Sequence, residues 1–534
     1  MIAKGDNRRE ARRAAADRTH GQTARNVSLV GSDGGLKTPA MFRRIFCFPV
    51  FLGAALVAEA FGTSAVAGVP AARFLLSGDM WWLIASGERI LSTGTWPTKD
   101  IYSFTVQGNP WINSQWLAGS LMTISARLGG LQGLAVLFLV LWCTLVLLVF
   151  YSSWVRSGNV KAAAAATALV PLILHTQPFL GLRAQLLGYI FLLATLICLE
   201  RYKQGRQRNL WMLPGIFLLW VNVHSSFTVG LFALGLYIGG GLRRFACGPV
   251  VAQRWTPGQL RHLQVVSLLC VLALMATPYG TRLAAYPFQY AWFGSYFTDH
   301  ITEWAPLELT SPLGWGFMAL VAALVVAQAR LRATFRPEEV VLLVVAAFES
   351  LLHIRFLFLF VIVFTPLFAS LLARWAPRYD AALDRPVLNA VLIGVFTCWM
   401  VIAFPSKVQL DEALSQVYPR NAVLYLRQHP TARRIYTGDG WGCYVLWALG
   451  PQQKVFVDGR LDVYYYAGVF EDYLEIDTLG RQTGFLMQKY GIDTFLVGQR
   501  TELRRYLASR ADWKRVYQDQ ISTIFVHKQR VTGR

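Results

Sequence analysis

The 534-residue sequence predicts an α-helical polytopic membrane protein that carries an α/β domain at its C-terminal end. Eleven apolar stretches lie between residues 45 and 404, and each approaches the roughly 20 residues that cross a bilayer core. Basic residues recur at alternate connectors between these stretches. From residue 405 the hydropathy falls, and short β-prone runs alternate with helical stretches, which predicts a small α/β domain.

The predicted spans set the topology. They cover, in order, residues 45–68, 131–154, 162–177, 183–200, 210–223, 226–242, 263–278, 313–329, 337–352, 356–373 and 387–404. With eleven spans, all of the strongly basic connectors share one side of the membrane, which the positive-inside rule makes cytoplasmic. Ten spans would divide these connectors between the two faces. We therefore expect a multi-pass membrane protein with a cytoplasmic N-terminus.

Three regions follow from this topology. Residues 1–44 are rich in Arg, Ala, Gly and Ser without apolar periodicity, which predicts a disordered basic cytoplasmic tail. Residues 45–404 form the transmembrane domain, including a long outer loop at 69–130. Residues 405–534 form the extracytoplasmic domain.

The net charge of +21 and the seven cysteines limit the classes of function that the sequence supports. The basic residues are spread over short connectors, which favours cytoplasmic anchoring at an anionic bilayer over nucleic-acid binding. The cysteines show neither a disulfide framework nor metal-ligand spacing. The expected partner at this level is the lipid bilayer, with no nucleic acid.

The outer loop 69–130 reads as two amphipathic helices joined by a Gly- and Pro-rich segment. Asp79 lies at the start of the first helix, where a carboxylate either caps the helix or serves chemistry. Gly94 comes just after the last apolar position of this helix. The second amphipathic stretch runs from Asn113 to Arg127. The tryptophans of this loop suit interfacial anchoring better than sugar stacking.

Polar residues collect at the outer ends of several spans, where charged groups are costly and are therefore functional candidates. These residues are Arg183, Gln185, Asn222, His224, Glu303, His353 and Arg355. Their shared face predicts a shared cavity. Arg183 and Arg355 suit a lipid-linked phosphate, because a guanidinium donates to two phosphate oxygens at once, but snorkelling to headgroups explains them equally well.

The C-terminal domain is predicted to contain a mainly parallel sheet. Its expected strands are Arg434–Tyr436, Lys454–Val457, Asp493–Val497 and Thr523–Val526. Asp458 and Arg460 follow the second strand, where open α/β sheets place ligands, although a tight turn also explains the Asp-Gly pair.

The outer loop resembles that of GT-C membrane glycosyltransferases, which place an Asp just after the first transmembrane helix in a large loop of two juxtamembrane helices. The residues that carry the resemblance are Asp79, Trp82, Gly87, Gly94, Pro97, Asp100, Ser103, Gly108, Trp111 and Trp116. The resemblance, to a bacterial group of GT-C-like proteins, implies catalysis by Asp79, with Asp100 as the second candidate. In that group a His often follows the Trp pair, and here Leu83 replaces it.

The tail is similar to the outer domain of the oligosaccharyltransferase catalytic subunit, whose Trp/Asp/Tyr/Gly motif binds the acceptor. The matching residues, which the resemblance places on the acceptor side, are Asp439, Trp441, Tyr444, Asp458 and Arg460. Here Asp439 precedes Trp441, a departure from the family order. Metal-dependent members carry further acidic residues in a second outer loop, and segment 177–183 has none, so neither a cofactor nor a divalent metal is expected.

The sequence therefore predicts transfer of a sugar from a polyprenyl-phosphate or -pyrophosphate donor to an extracytoplasmic glycan, lipid or protein acceptor, with Asp79 as base. Two alternatives stay open. A transporter of a lipid-linked substrate would also collect polar residues near the membrane, although no internal repeat is evident. A non-catalytic scaffold or glycan-binding relative would keep the fold without the reaction.

Overall fold

The computed structural model describes residues 39–66, 68–175, 180–292, 301–430, 434–450 and 453–528. The predicted tail at 1–44 therefore falls mostly outside the described residues. Up to residue 403 the described chain is mainly helical. Its α-helices are α1 Ala40–Ile45, α2 Phe48–Gly62, α3 Asp79–Thr93, α4 Trp116–Ser157, α5 Val160–Thr167, α6 Leu169–Leu174, α7 Ala184–Lys203, α8 Leu213–Val221, α9 Phe227–Gly240, α10 Pro257–Ala273, α11 Thr281–Trp292, α12 Pro312–Leu331, α13 Pro337–Leu352, α14 Leu357–Leu372 and α15 Pro386–Ala403.

Local sequence explains where several of these helices begin and end. Thr256 and Gln259 form a capping box at the start of α10, and Pro257 occupies the first helical position between them. Gly94 takes a left-handed conformation and ends α3, as the sequence predicted. Gly130 (φ 57°, ψ −135°) breaks the helical path within α4. It thereby separates the predicted amphipathic stretch from the span that follows.

Five helical segments are long and apolar enough to cross a membrane. They are Trp116–Ser157, Ala184–Lys203, Pro312–Leu331, Ile354–Leu372 and Pro386–Ala403. Three further apolar segments are shorter, and they are Phe48–Gly62, Val160–Leu174 and Phe227–Gly240. These segments make the chain a membrane protein, while the number of eleven spans stays a prediction.

Helix α7 carries charged groups at both of its ends. Arg183 precedes its first residue, and Glu200 and Lys203 lie in its last turn. At this last turn Lys203 pairs with Glu338, and Arg336 pairs with Glu200. Because 20 residues of α-helix span about 30 Å, the two charged ends lie roughly one hydrocarbon thickness apart.

The chain from residue 407 adds a second set of elements. Its helices are α16 Lys407–Val417, α17 Arg420–Gln428, α18 Asp439–Leu449, α19 Leu461–Tyr466, α20 Val469–Asp477, α21 Thr483–Lys489 and α22 Glu502–Ser509. Its strands are β3 Arg434–Tyr436, β4 Lys454–Val455, β5 Thr494–Gly498, β6 Trp513–Gln518 and β7 Ser522–His527, after a small hairpin of β1 Phe245–Cys247 and β2 Val250–Ala252.

The sheet is mixed, and the prediction of a mainly parallel sheet is wrong. Its strand order is β4-β3-β5-β7-β6. Strand β3 pairs in parallel with β4 and β5, whereas β7 pairs antiparallel with both β5 and β6. The sequence analysis missed β6, whose residues alternate poorly because it is a largely exposed edge strand. A short connection joins β6 to β7, and this forces the antiparallel pairing.

The outer loop packs directly on this sheet. Phe104 donates its backbone N–H to the Val455 carbonyl (3.2 Å), and the Thr105 hydroxyl donates to the Phe456 carbonyl (2.7 Å). Ser103 also forms a parallel bridge with Val455, so the loop extends the sheet beyond β4. The loop at 69–130 and the C-terminal elements therefore lie on the same side of the helical part.

Candidate active site

A cavity of about 680 Å³ lies where the outer loop, the helical part and the C-terminal elements meet. Helices α3, α7 and α18 border it, together with the turn after β4 and the 3₁₀ turn Thr302–Trp304. The predicted site residues that line it are Asp79, Arg183, Gln185, His224, Glu303, Arg355, Asp439 and Arg460. Of the seven polar residues predicted at span ends, the structure brings five to this cavity, namely Arg183, Gln185, His224, Glu303 and Arg355, and it does not bring Asn222 or His353 there.

Asp79 is the first residue of α3, and its side chain has two polar neighbours. The Trp82 indole N–H donates to its Oδ1 at 3.2 Å, and the Arg183 guanidinium lies 3.8 Å from its Oδ2. The N-cap position belongs to Gly78, which makes no side-chain cap bond. The carboxylate is 35 % exposed at the cavity wall. Side-chain capping of α3 therefore does not account for Asp79, although the helix dipole still favours its charge.

Three glycines allow the C-terminal elements to come close to Asp79. A Cβ at position 459 would lie 2.6 Å from Asp79 Oδ1 and 3.0 Å from Cys443 Sγ. A Cβ at Gly78 would meet the backbone of Gly440 at 3.4 Å. The backbone of Gly459 thus lies directly against the Asp79 side chain, with no room for a side chain of its own, and the start of α18 lies in van der Waals contact with Gly78.

Two arginines also line the cavity. Arg183 pairs with Glu303, and both side chains are largely buried. The Arg355 guanidinium lies over the Trp304 ring, with its Cζ 4.5 Å from the ring centroid. His353 does not line the cavity; its Nδ1 lies 2.8 Å from the Trp304 carbonyl oxygen and so fixes the segment that presents Trp304.

Burial and neighbouring charges shift the pKa values of the acidic groups in opposite directions. Burial raises the pKa of Asp79, the carboxylates of Glu303 and Asp439 raise it further, and Arg183 and Trp82 oppose the rise. Burial also raises the pKa of Asp439. Burial alone would raise the pKa of Glu303, but Arg183 and Arg355 outweigh it and lower the pKa.

His224 is held neutral. It lies in the turn between α8 and α9, where burial, and then Arg355 and Arg183, lower its pKa to about 3. Its Nδ1 accepts from the Ser226 backbone N–H at 3.1 Å. The ring therefore contributes hydrogen-bonding capacity to the cavity without adding positive charge.

Asp100 and Asp458 lie beside the cavity lining, in a buried ion-pair network around Arg460. The Arg460 guanidinium contacts Asp458 at 2.6 Å and Asp100 at 2.7 Å. Tyr464 donates its hydroxyl to Asp458 at 2.6 Å. Asp100 is only 1 % exposed and also accepts from the Ser103 hydroxyl at 2.8 Å. Both carboxylates thus hold Arg460, which joins the outer loop to the C-terminal elements.

The remaining predicted residues make packing contacts outside the cavity lining. The Asn222 side chain accepts from the Trp116 indole at 2.8 Å, and Trp441 donates its indole N–H to the Val417 carbonyl at 3.1 Å. Tyr444 is 4 % exposed and packs edge-on against Trp81. The structure does not bring these three side chains to the cavity.

Sequence analysis missed several residues of the cavity wall. Tyr286 donates its hydroxyl to Asp462, and both line the cavity. Tyr189 is stacked on Phe358 at 5.0 Å and accepts from Gln185 at 2.7 Å. Asp462 lies two residues after Arg460 in the chain, and this was the one feature of the sequence that could have indicated its place in the cavity wall.

Leu83, which replaces the histidine of the similar group, is fully buried and lies outside the cavity lining. Its carbonyl is close to Gly119, where the second half of the outer loop packs against α3. The Leu83 side chain itself therefore contributes nothing to the cavity wall.

The cavity combines carboxylates with arginines and contains no predicted metal cluster. Among the described residues, no group of three or more His, Cys, Asp or Glu side chains is placed to hold a metal ion. The Arg183 guanidinium instead occupies the space between Asp79 and Glu303. The two carboxylates therefore share one cationic side chain in this structure.

Apolar helices that carry an outer loop and a C-terminal α/β region give the chain a GT-C-like membrane fold, which solved structures share. Its particular likeness is to the oligosaccharyltransferase of Archaeoglobus fulgidus. The structure of that enzyme tethered to an acceptor peptide containing the NVT sequon matches with a TM-score of 0.54 and 11% identity, over 88% of this chain and 71% of that chain.

Two further structures of the same archaeal protein agree. AglB in complex with an inhibitory peptide and a dolichol-phosphate gives a TM-score of 0.52 at 12% identity, over 86% of this chain and 70% of that one. The apo form gives 0.52 at 13% identity, over 86% and 71%. No family model matches the sequence, and no curated protein matches it. Likeness at this identity shows a shared fold.

Proposed function

We propose that the protein is a GT-C-type glycosyltransferase that moves a sugar from a polyprenyl-phosphate or -pyrophosphate donor to an acceptor on the extracytoplasmic face. The observation that carries this proposal is the position of Asp79, which faces a cavity shared with Arg183 and Arg355 at the outer ends of apolar helices. A lipid-linked donor enters such a site from the bilayer, with its phosphate at the level of the helix ends.

The arginines are the proposed phosphate-binding groups. Arg355 is held over Trp304, and a guanidinium presents several N–H donors in a planar fork that suits phosphate oxygens. Arg183 is committed to Glu303 and lies near Asp79, so it adds positive charge beside the phosphate and fixes the carboxylates. The similar archaeal enzyme has been seen with a dolichol-phosphate, which agrees with a lipid-linked donor here.

Asp79 is the proposed base. As the acceptor nucleophile attacks the anomeric carbon, Asp79 takes the proton that the nucleophile loses. The bond from the anomeric carbon to the phosphate oxygen breaks, and its electron pair leaves with the phosphate, whose charge Arg355 and Arg183 then meet. Asp100 is the weaker candidate for this role, because its carboxylate is occupied by Arg460 and Ser103.

The acceptor is proposed to approach from the side of the C-terminal elements. Asp439 and Arg460 line this side of the cavity, whereas Trp441, Tyr444 and Asp458 support it from behind. The similar archaeal enzyme has been seen tethered to an acceptor peptide. A peptide, glycan or lipid acceptor fits the proposal. We further propose that transfer needs no divalent metal, because Arg183 supplies the cation between Asp79 and Glu303.

The test is transfer by Asp79→Asn in the purified, reconstituted protein with a short-chain polyprenyl-phosphate sugar. Removal of a positioned base lowers a rate by about 10²–10⁴-fold, so we expect a loss of that size. Glu88→Gln is the matched control, because Glu88 lies on the same helix in an exposed pair with Arg127. Thermal unfolding of both variants should match that of the unchanged protein.

A different result would favour the alternatives. Full transfer by Asp79→Asn would remove Asp79 from the reaction. If the unchanged protein binds the lipid-linked sugar but transfers none of it to peptide, glycan or lipid acceptors, the non-catalytic glycan-binding function takes the place of the transferase.

A further inference from the structure

A second cavity, of about 1040 Å³, lies between the N-terminal ends of α2 and α15. These two helices run side by side in the same direction. Phe51 stacks on Phe396 and Phe61 meets Trp399 edge-on, so residues near both C-terminal ends also face each other. Those ends lead into the outer loop and the C-terminal elements. The second cavity is therefore at the opposite face of the helical part, which the basic connectors predict to be cytoplasmic.

Three arginines line this cavity. Arg43 and Arg44 come from the last turn of α1, and Arg385 is the residue directly before α15. All three are exposed. The N-terminus of the 18-residue helix α15 adds the positive end of its dipole at the same place. Positive charge from three side chains and one helix end thus converges on one concave surface.

Among the described residues that line this cavity, Asp384 is the one carboxylate, and its oxygens are already engaged. Asp384 accepts from the Phe48 backbone N–H at 3.0 Å, from the Tyr379 hydroxyl at 2.5 Å and from the Asn389 amide at 3.3 Å. It thereby satisfies the first turn of α2 and joins that helix to α15. These hydrogen bonds compensate the negative charge of Asp384, so the net charge at the cavity surface is positive.

The wall next to the arginines is apolar and outward-facing. Val387, Leu388 and Val391 line the cavity and are 57%, 48% and 57% exposed. Only 6% of the apolar window of α15 is buried within the protein, so this face continues along the helix toward the bilayer. A free phosphate ion would use the arginines alone. The adjoining apolar face fits a ligand that joins a phosphate to hydrocarbon chains.

We propose that this cavity binds the phosphate headgroup of an anionic glycerophospholipid of the cytoplasmic leaflet, with its acyl chains along α15. Arg43, Arg44 and Arg385 donate to the phosphate oxygens, and Val387, Leu388 and Val391 contact the first methylenes. The site joins the first and last apolar helices on the face away from the candidate active site. It is independent of the proposed transferase reaction.

The experiment compares two triple variants of the full-length protein in bilayer discs of phosphatidylcholine with a minor share of phosphatidylglycerol. Arg43→Gln/Arg44→Gln/Arg385→Gln removes the site. Arg206→Gln/Arg208→Gln/Arg330→Gln removes the same charge from exposed residues that lie outside the cavity and on the same predicted face. Mass spectrometry counts the phosphatidylglycerol that each protein retains after transfer to detergent.

We expect the first variant to lose tenfold or more in phosphatidylglycerol retention, because each basic residue near an anionic surface contributes about fivefold to binding. The control should retain the lipid as the unchanged protein does. Equal loss in both variants would reduce the effect to general surface charge and overturn the proposal. Displacement of the lipid by millimolar inorganic phosphate would also overturn it, because the apolar wall would then contribute nothing.

Cys47 gives a second measurement that needs no variant. It lines the cavity, whereas Cys247 is exposed elsewhere on the same predicted face. With phosphatidylglycerol present, alkylation of Cys47 should slow relative to bilayers of phosphatidylcholine alone, while Cys247 reacts at an unchanged rate. Identical protection of Cys47 in both lipids would contradict the proposal even if the triple variant failed to fold.

Discussion

At the scale of single residues, the surroundings of Asp79 shift the pKa of its carboxyl group in opposite directions. Burial and the carboxylates of Glu303 and Asp439 raise its pKa, and Arg183 and the Trp82 indole lower it. The net direction is upward. A base with a raised pKa is a stronger proton acceptor, and it loses its function at a higher pH than an ordinary carboxylate, whose pKa is about 3.9.

This balance predicts a shift of the pH–rate profile. As the pH falls through the raised pKa of Asp79, the carboxylate is protonated and transfer should be lost. Asp439→Asn removes one of the charges that raise this pKa, so the acid limb should move to lower pH, whatever happens to the maximal rate. The pH–rate profile is measured with saturating donor. Asp477→Asn, which lies outside the cavity, is the control and should leave the acid limb in place. If the acid limb of Asp439→Asn also stays in place, Asp79 is not the group whose protonation limits the rate.

Gly459 provides a second test at this scale. A methyl group at this position would lie 2.6 Å from Asp79 Oδ1, so Gly459→Ala should displace the carboxylate and lower transfer at least about tenfold, since small misplacements of a reacting group are costly. Gly438→Ala is the control, because its Cβ would meet only the Tyr473 hydroxyl at 3.8 Å. Equal activity of the two variants would show that Asp79 tolerates the displacement.

At the scale of elements, Arg460 is the main link between the outer loop and the C-terminal elements. Its guanidinium packs against the rings of both Tyr102 and Trp111, with Cζ 4.9 Å and 4.6 Å from the ring centroids. The same group pairs with Asp100 from the loop and Asp458 from the turn after β4. This network places Gly459 against Asp79.

Loss of this link should be costly. Arg460→Met leaves Asp100 and Asp458 buried without their cation, and breaking a buried ion pair from one side typically costs about 3–5 kcal/mol. We expect a large drop in the thermal unfolding midpoint, which is measured in detergent by intrinsic tryptophan fluorescence. Arg505→Met, which removes an exposed pair with Glu502, should change stability by no more than about 1 kcal/mol. Similar midpoints for the two variants would argue against the network as a structural link.

At the scale of the whole molecule, the contacts between residues 103–105 and strand β4 restrict the topology. Both segments lie on one side, so the chain between them crosses the membrane an even number of times. Ten of the predicted spans fall in this interval, which satisfies the condition. The condition does not fix the number, because the structure supports five segments by length and composition.

The predicted orientation can be measured with thiol reagents. Cys247 is exposed in the β1–β2 hairpin, which the topology places in the cytoplasm. A membrane-impermeant maleimide should therefore spare Cys247 in intact cells and label it in inverted vesicles. Ala508→Cys, at an exposed position of α22, should show the reverse pattern. Labelling of both thiols from the same side would contradict the topology.

The sequence by itself determined the features that depend on neighbouring residues. Apolar runs gave the helical segments, Gly94 marked the end of α3, and polar groups at the ends of apolar runs pointed to a shared cavity. These are local patterns of periodicity, capping and burial cost, which act within a few residues of the chain. The edge strand β6 was not predicted, because an exposed strand has no apolar alternation.

Only the tertiary structure decided which candidates reach the cavity. The sequence put Asp79 first and Asp100 second as the catalytic carboxylate, and the structure separates them further: Arg460, hundreds of residues away, engages Asp100, whereas Asp79 faces the cavity. The contact of Gly459 with Asp79 and the pairing of Arg183 with Glu303 are likewise long-range. Such contacts depend on how distant elements pack, and a single sequence carries no local signal for them.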